Sequence, residues 1–142
     1  MTICWENVRI ERRFGSDEAL ARPVMDELLD GLRNAGWREG ELFSIHLALE
    51  EAIANAMEHG NGLDPHKVVT VAAEISPLLF QVCIRDEGRG FDPARVPDPT
   101  SGDRLHTPHG RGVLIMRQLM HAVKYNERGN EVVMEKRRVP EE

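Results

Sequence analysis

The sequence predicts an α+β fold, a largely antiparallel sheet with helices covering one face, and three observations point there. Two pairs of strand-like runs are joined by turns: "KVVTVAAEI" (67–75) with "LLFQVCIRD" (78–86) across Ser76 and Pro77, and "AVKYN" with "EVVMEKRR" across "ERGN". The helical segments are grouped apart from these hairpins. Alternations of strand, helix and strand are too few for a doubly wound parallel sheet.

Each element has its own signal. "WENVRIERRF" alternates, with Val8, Ile10 and Arg12 on one side, and reads as an opening strand that Gly15 ends. Ser16 is the expected cap of the helix that follows, and Asp17 and Glu18 suit its positive end. Leu20, Val24, Leu28 and Leu32 or Leu29 give that helix its apolar stripe as far as "NAGW", with Pro23 marking either a kink or the true first turn. A second helix is expected from about Glu39 to His59, ended by the glycine-rich "GNG". Residues 87–109 are rich in proline and glycine and read as a long loop, a length usually kept for function or disorder. A third helix starts near Gly110 to Val113 and carries Val113, Leu114, Met116, Leu119 and Met120.

Composition narrows the function. The 142 residues are about one domain's worth, and without a repeat, linker or low-complexity tract residues 1–142 are expected to form a single domain. Eighteen basic against 24 acidic residues leave a formal charge of -6, which argues against a general nucleic-acid backbone footprint but not against a local site for a small phosphate ligand. Cys4 and Cys83 follow no metal-ligand spacing; Cys83 sits in an apolar run and is expected to be a reduced, buried thiol. No signal-like segment and no run of about 18 apolar residues occurs, so a cytoplasmic protein that does not span a membrane is expected.

Three constellations could carry chemistry. In "HLALEEAIANAMEHGN", Glu51, Asn55 and His59 recur at steps of four and form a polar column, while Leu42, Ile45, Leu49, Ile53 and Ala56 line another face. An asparagine oxygen suits magnesium, and a carboxylate one turn away can accept a proton. In "RDEGRGFDP", Asp86 at a strand end offers an acceptor-only carboxylate able to take a hydrogen bond from an exocyclic amine such as that of adenine, and Gly88 and Gly90 permit close backbone approach. In "HGRGVLIMRQLM", Gly110 and Gly112 flank Arg111 before a helix, whose free N–H groups suit phosphate. The last is neither a Walker sequence nor a dinucleotide fingerprint.

Taken in order, E-x-x-x-N-x-x-x-H-G, D-x-G-x-G-F-D and G-R-G-x-x-[LI]-M-x-x-L-M resemble the nucleotide-binding boxes of the GHKL (histidine-kinase-like) ATPase superfamily, which includes gyrase, histidine kinases and MutL. Within it the chain is most similar to the anti-sigma factor serine/threonine kinase group, the RsbW and SpoIIAB-like proteins, over nearly its whole length. The resemblance implies a two-layer α/β sandwich of the Bergerat type, with a mostly antiparallel mixed sheet and helices on one face. It implies ATP and Mg2+ as cofactors, with Asn55 as the metal ligand and Glu51, not Glu50, as the catalytic base. Asp86 would read the adenine amino group, with Gly88 and Gly90 shaping the pocket. Gly110, Arg111 and Gly112 would hold the phosphates, His59 would lie on the phosphate side, and Arg104 would add a contact from an ATP lid at about 92–109.

The expected function is an ATP-dependent protein serine/threonine kinase. It would phosphorylate a STAS-like anti-anti-sigma partner and bind a sigma factor, with homodimerisation also implied by the resemblance. A nucleotide-gated binding module that moves no phosphoryl group needs the same pocket; the presence of Glu51 favours the enzyme. Sensor histidine kinases and gyrase-like ATPases fit less well, since neither a phosphoacceptor hairpin nor further domains are recognisable. A metal site from His106, His109 and His121 lacks acidic or cysteine ligands at set spacing. His121 replaces the acid that related kinases often carry after "L-M", which bears on partner choice and not on ATP.

Overall fold

The computed structural model describes residues 7–88 and 108–138, with the side chains of 108–111 outside that description. Its elements in chain order are β1 (Val8–Gly15), α1 (Glu18–Asn34), α2 (Glu39–Asn55), a π-helical turn (Ala56–Gly60), β2 (Val68–Ile75), β3 (Leu79–Arg85), α3 (Pro108–Leu119), β4 (Ala122–Tyr125) and β5 (Glu131–Arg137). The five strands form one sheet in the order β1-β2-β3-β5-β4. The α+β fold is as expected, and the sheet goes beyond the mostly antiparallel arrangement, since every pairing among the described strands is antiparallel.

Alternation along the strands decides which face the helices cover. Ile10 and Phe14 of β1, Val69, Val71, Ala73 and Ile75 of β2, Phe80, Val82 and Ile84 of β3, and Val132 and Met134 of β5 are all buried on one face. Against them pack Val24, Met25, Leu28 and Leu32 of α1, Leu42, Ile45, Leu49 and Ile53 of α2, and Val113 and Met116 of α3. The other face carries Arg9, Glu11, Arg13, Glu74 and Arg85, paired across neighbouring strands.

The ends of α1 correct two expectations. Asp17, not Ser16, is the N-cap, accepting from the Ala19 N–H at 2.9 Å; Ser16 is turned inward and donates to the Lys67 carbonyl. Leu20 is half exposed because the buried stripe runs through Ala21, Val24, Met25, Leu28 and Leu32, one residue round the helix. Pro23 is exposed in the second turn and the helix runs on through it, so it is not the first turn. At the far end, Trp37 N–H bonds the Leu32 carbonyl and Gly36 N–H that of Arg33, with Gly36 at φ 97°, a Schellman ending that requires glycine there. The chain can then turn at once into α2, whose Glu41 accepts from the Arg38 N–H at 2.9 Å.

Trp37 ties this corner to the sheet. It is 3% exposed, donates from Nε1 to the Ser76 carbonyl at 2.8 Å, and lies under the Arg138 guanidinium, 5.4 Å from the ring centroid. Cys83, expected to be buried, is only half-buried on the outer sheet face, because residues 81, 83 and 85 alternate away from Val82 and Ile84. Burial still pushes its thiol up to about 11, helped by a hydrogen bond to Glu131. Cys4 lies outside the described residues. No helix of the described residues is long and apolar enough to cross a membrane.

The corrected stripe can be tested by truncation. Leu28→Ala, at a fully buried position of that stripe, is expected to lower unfolding free energy by about 2–5 kcal/mol, whereas Leu20→Ala should change it by less than about 0.5 kcal/mol. Urea titration of the two variants checks both.

Candidate functional site

Sequence-predicted residues from three separate segments meet where α2 ends. The α-helix stops at Asn55 and widens into the π-helical turn, whose Asn61 N–H reaches back five residues to the Ala56 carbonyl at 2.8 Å. Glu51 and Asn55, four apart in the regular part of α2, share the face that Gly112 of α3 covers, as the polar column predicts, and the wider turn begins only after them. Asn55 and His59 line a small cavity together with Asp86, Gly60, Ile84 and Tyr125. Glu51, one turn before Asn55, also borders an open groove between α1 and α2. Glu50 lines the same groove, where its Oε1 lies 3.0 Å from His46 Nε2.

Glycine makes both flanks. A Cβ on Gly112 would stand 2.9 Å from Glu51 Oε2 and 3.1 Å from Asn55 Nδ2, so α3 is seated on these two side chains through a position with no side chain of its own. Because α3 starts at Pro108, Gly110 falls in its first turn, where N–H groups lack intrahelical partners, while Gly112 lies one turn in. The free helix start expected around Gly110 to Gly112 thus divides: Gly110 is placed to donate, and Gly112 is a contact surface. The side chain of Arg111, and Gly90, Arg104 and residues 92–107 of the expected lid, lie outside the described residues.

On the Asp86 flank the packing is closer still. A Cβ on Gly60 would fall 2.2 Å from Asp86 Cγ, and one on Gly88 only 1.8 Å from the Gly60 carbonyl oxygen. Asp86 is 7% exposed, and among the described residues its carboxylate accepts one hydrogen bond, from the Gly88 N–H at 2.8 Å, and joins no ion pair. Burial raises its pKa; the Gly88 bond, and the charges of Arg128 and Lys67, act the other way. A buried carboxylate with so few donors suits a ligand that brings an N–H of its own.

Asn55 is 9% exposed, and its Nδ2 closes no hydrogen bond of full geometry among the described residues. Its amide oxygen is a hard donor, and Glu51 lies close by. Such a pair suits a cation that takes most of its ligands from water and phosphate oxygens, as magnesium does. The three-histidine alternative fails on His121, whose Nδ1 is taken by the Arg137 N–H at 2.9 Å.

Two residues escaped the sequence reading. Asn61, 2% exposed, donates from Nδ2 to Ser16 Oγ and the Val68 carbonyl and accepts at Oδ1 from the Glu87 N–H, so it fixes the loop holding Asp86 and Gly88 against the start of β2. Its signal was an asparagine between two glycines, read only as a helix exit. Tyr125, on the inner face of β4, brings a buried hydroxyl beneath Asn55. Burial pushes its pKa up to about 12, and the Asn55 amide, in weaker contact, acts the other way. Its signal was that it is the chain's single tyrosine.

The raised pKa of Asp86 has a definite sign. A carboxyl whose folded pKa lies above its unfolded value contributes stability that is complete below the unfolded pKa and lost as pH rises through the folded one. Asp86→Asn removes that loss, so its melting temperature relative to the unaltered chain is expected to rise between pH 4 and 8. Thermal melts across that range check it, a constant difference being the contrary result.

Known proteins are similar to this chain in sequence. The histidine kinase-like ATPase domain matches residues 14–136. The chain is 37% identical over 87 residues to an anti-sigma F factor of Halalkalibacterium halodurans, 59% of either chain, so this match spans less than two thirds of the relative. It is 33% identical over 103 residues to an anti-sigma F factor of Clostridium perfringens, 68% of this chain and 73% of the relative. A third, from Oceanobacillus iheyensis, is 33% identical over 102 residues, 68% of this chain and 69% of the relative. The chain therefore belongs to the histidine kinase-like ATPase family, an ATP-binding family, and within it to the anti-sigma factor group.

Proposed function

We propose that this protein is an ATP-dependent protein serine/threonine kinase of the anti-sigma type. It binds a sigma factor and phosphorylates a STAS-like anti-anti-sigma partner. The observation that carries this reading is the position of Asn55, which borders Asp86 across the cavity on one side and Glu51 across Gly112 on the other. One residue thus joins an adenine-reading end to a phosphoryl-transfer end.

Each group has a role its surroundings favour. Asp86 accepts from the exocyclic amine of adenine, with Gly60 and Gly88 packed against it so that its carboxylate is held in place at the cavity wall. Gly110 lies among the free N–H groups at the start of α3, which suit phosphate oxygens, and His59 lines the cavity beside Asn55 and Asp86. Asn55 holds Mg2+ through Oδ1; when bound, the cation neutralises charge on the phosphates. Glu51 accepts the proton of the partner's serine hydroxyl as that oxygen bonds to the γ-phosphorus. The bond from phosphorus to the β,γ-bridging oxygen breaks, and ADP and phosphoserine result. Glu51 borders an open groove, a setting that suits a base which must meet a side chain of another protein.

Two variants separate the roles. Glu51→Ala is expected to keep Mg2+-dependent ATP binding and to lose transfer by about 10²-fold or more; undiminished labelling of a STAS-domain protein from γ-labelled ATP would remove Glu51 as the base. Asn55→Ala is expected to weaken nucleotide binding in Mg2+ while leaving binding in EDTA largely unchanged, and calorimetry in the two buffers checks this. If the unaltered chain binds ATP but labels no STAS-domain candidate, the nucleotide-gated binding module becomes the better account.

A further inference from the structure

Asn55 poses an orientation problem. If it is the magnesium ligand, as the proposed function holds, its Oδ1 must face the phosphates, and Nδ2 then turns toward the interior. Asn55 is nine-tenths buried, and Nδ2 has no hydrogen bond of full geometry among the described residues. A buried amide that keeps neither orientation by hydrogen bonding loses its selectivity for oxygen toward the cation.

The surroundings leave few acceptors for Nδ2. Gly112, pressed on the amide from α3, brings no side chain. Glu51, one turn earlier, is needed as a proton acceptor, and a carboxylate already engaged by an amide is a weaker base. On the cavity side lies the buried hydroxyl of Tyr125, from a strand held in register by the pairing of Tyr125 with Val132. A tyrosine hydroxyl can accept from an amide, and in a sheet its ring cannot easily withdraw.

We propose that Tyr125 is a positioning residue for magnesium: its hydroxyl accepts from Asn55 Nδ2 and so holds Oδ1 toward the phosphate side. Outer partners of this kind orient a metal ligand without touching the metal, and their loss typically costs about 10- to 100-fold in metal affinity. Tyr125→Phe removes only the oxygen and keeps the ring that packs beneath α2.

The test is calorimetric titration of the full chain with a non-hydrolysable ATP analogue, in Mg2+ and in EDTA. Tyr125→Phe is expected to bind the analogue as the unaltered chain does in EDTA and about 10-fold or more weakly in Mg2+. In an Asn55→Ala background the same change should have no further effect, because the amide it orients is gone. If Asn55→Ala loses the magnesium dependence and Tyr125→Phe keeps it, the role of Tyr125 is overturned while that of Asn55 stands. If Asn55→Ala keeps the dependence, the assignment of Asn55 fails and this inference with it. Equal losses in both buffers would also overturn the inference, since the hydroxyl would then only shape the cavity.

Discussion

The site depends on one contact, the seating of the Gly60 backbone on Asp86 and Gly88. No Cβ fits at either glycine: the nearest atoms would be 2.2 Å away at Gly60 and 1.8 Å at Gly88. The helix layer and the end of β3 therefore touch backbone to backbone, and Asp86 is enclosed without a side chain laid over it. The π-helical turn is what brings Gly60 there, since widening after Asn55 shifts the chain relative to a continuing α-helix. Asn61 then locks the arrangement from behind, bonding Ser16, Val68 and Glu87, which belong to three different parts of the chain. A buried amide with this many partners leaves several groups unmet if it moves, so the loop carrying Asp86 is held to one position.

Most of the fold was legible because its signals are local and repetitive. Period-two runs placed β2, β3 and β5 within a residue or two of their observed ends, and the hairpin turns implied antiparallel neighbours. What local pattern could not settle was rotation. Whether Leu20 or Ala21 begins the buried stripe of α1 depends on how the helix is turned on the sheet, and both are apolar. Ser16 and Asp17 are equally good caps by residue type; the long-range demand of Lys67 and Asn61 for the Ser16 hydroxyl leaves the cap to Asp17.

The site divides the same way. Glu51, Asn55, Asp86, Gly88 and Gly112 carried sequence signals because their residue types suit the chemistry directly, and the described structure gathers them at one corner. Asn61 and Tyr125 support those residues from elsewhere in the chain, and neither belongs to a spaced motif. The widening after Asn55 was hidden for a related reason: a π-helical turn has no residue signature, and a spacing of four continues to look like one α-helical face.

Burying Asp86 has a cost in stability. With one bond from Gly88 and a pKa raised by burial, the carboxylate weakens the folded state at neutral pH. Much of the structure that offsets this lies away from the site, in a core that joins all three helices to four strands and in the Trp37 corner, where Ser76, Arg138 and Glu41 clasp the connection between α1 and α2. That separation has a functional consequence. Groups lining the cavity can stay short of hydrogen-bond partners, as Asp86 and Asn55 do, because the scaffold does not rely on them. A ligand that supplies an N–H to the one and engages the amide oxygen of the other would meet needs that the protein leaves open. Nucleotide binding should then stabilise the corner where α2, β3 and α3 meet more than the Trp37 corner.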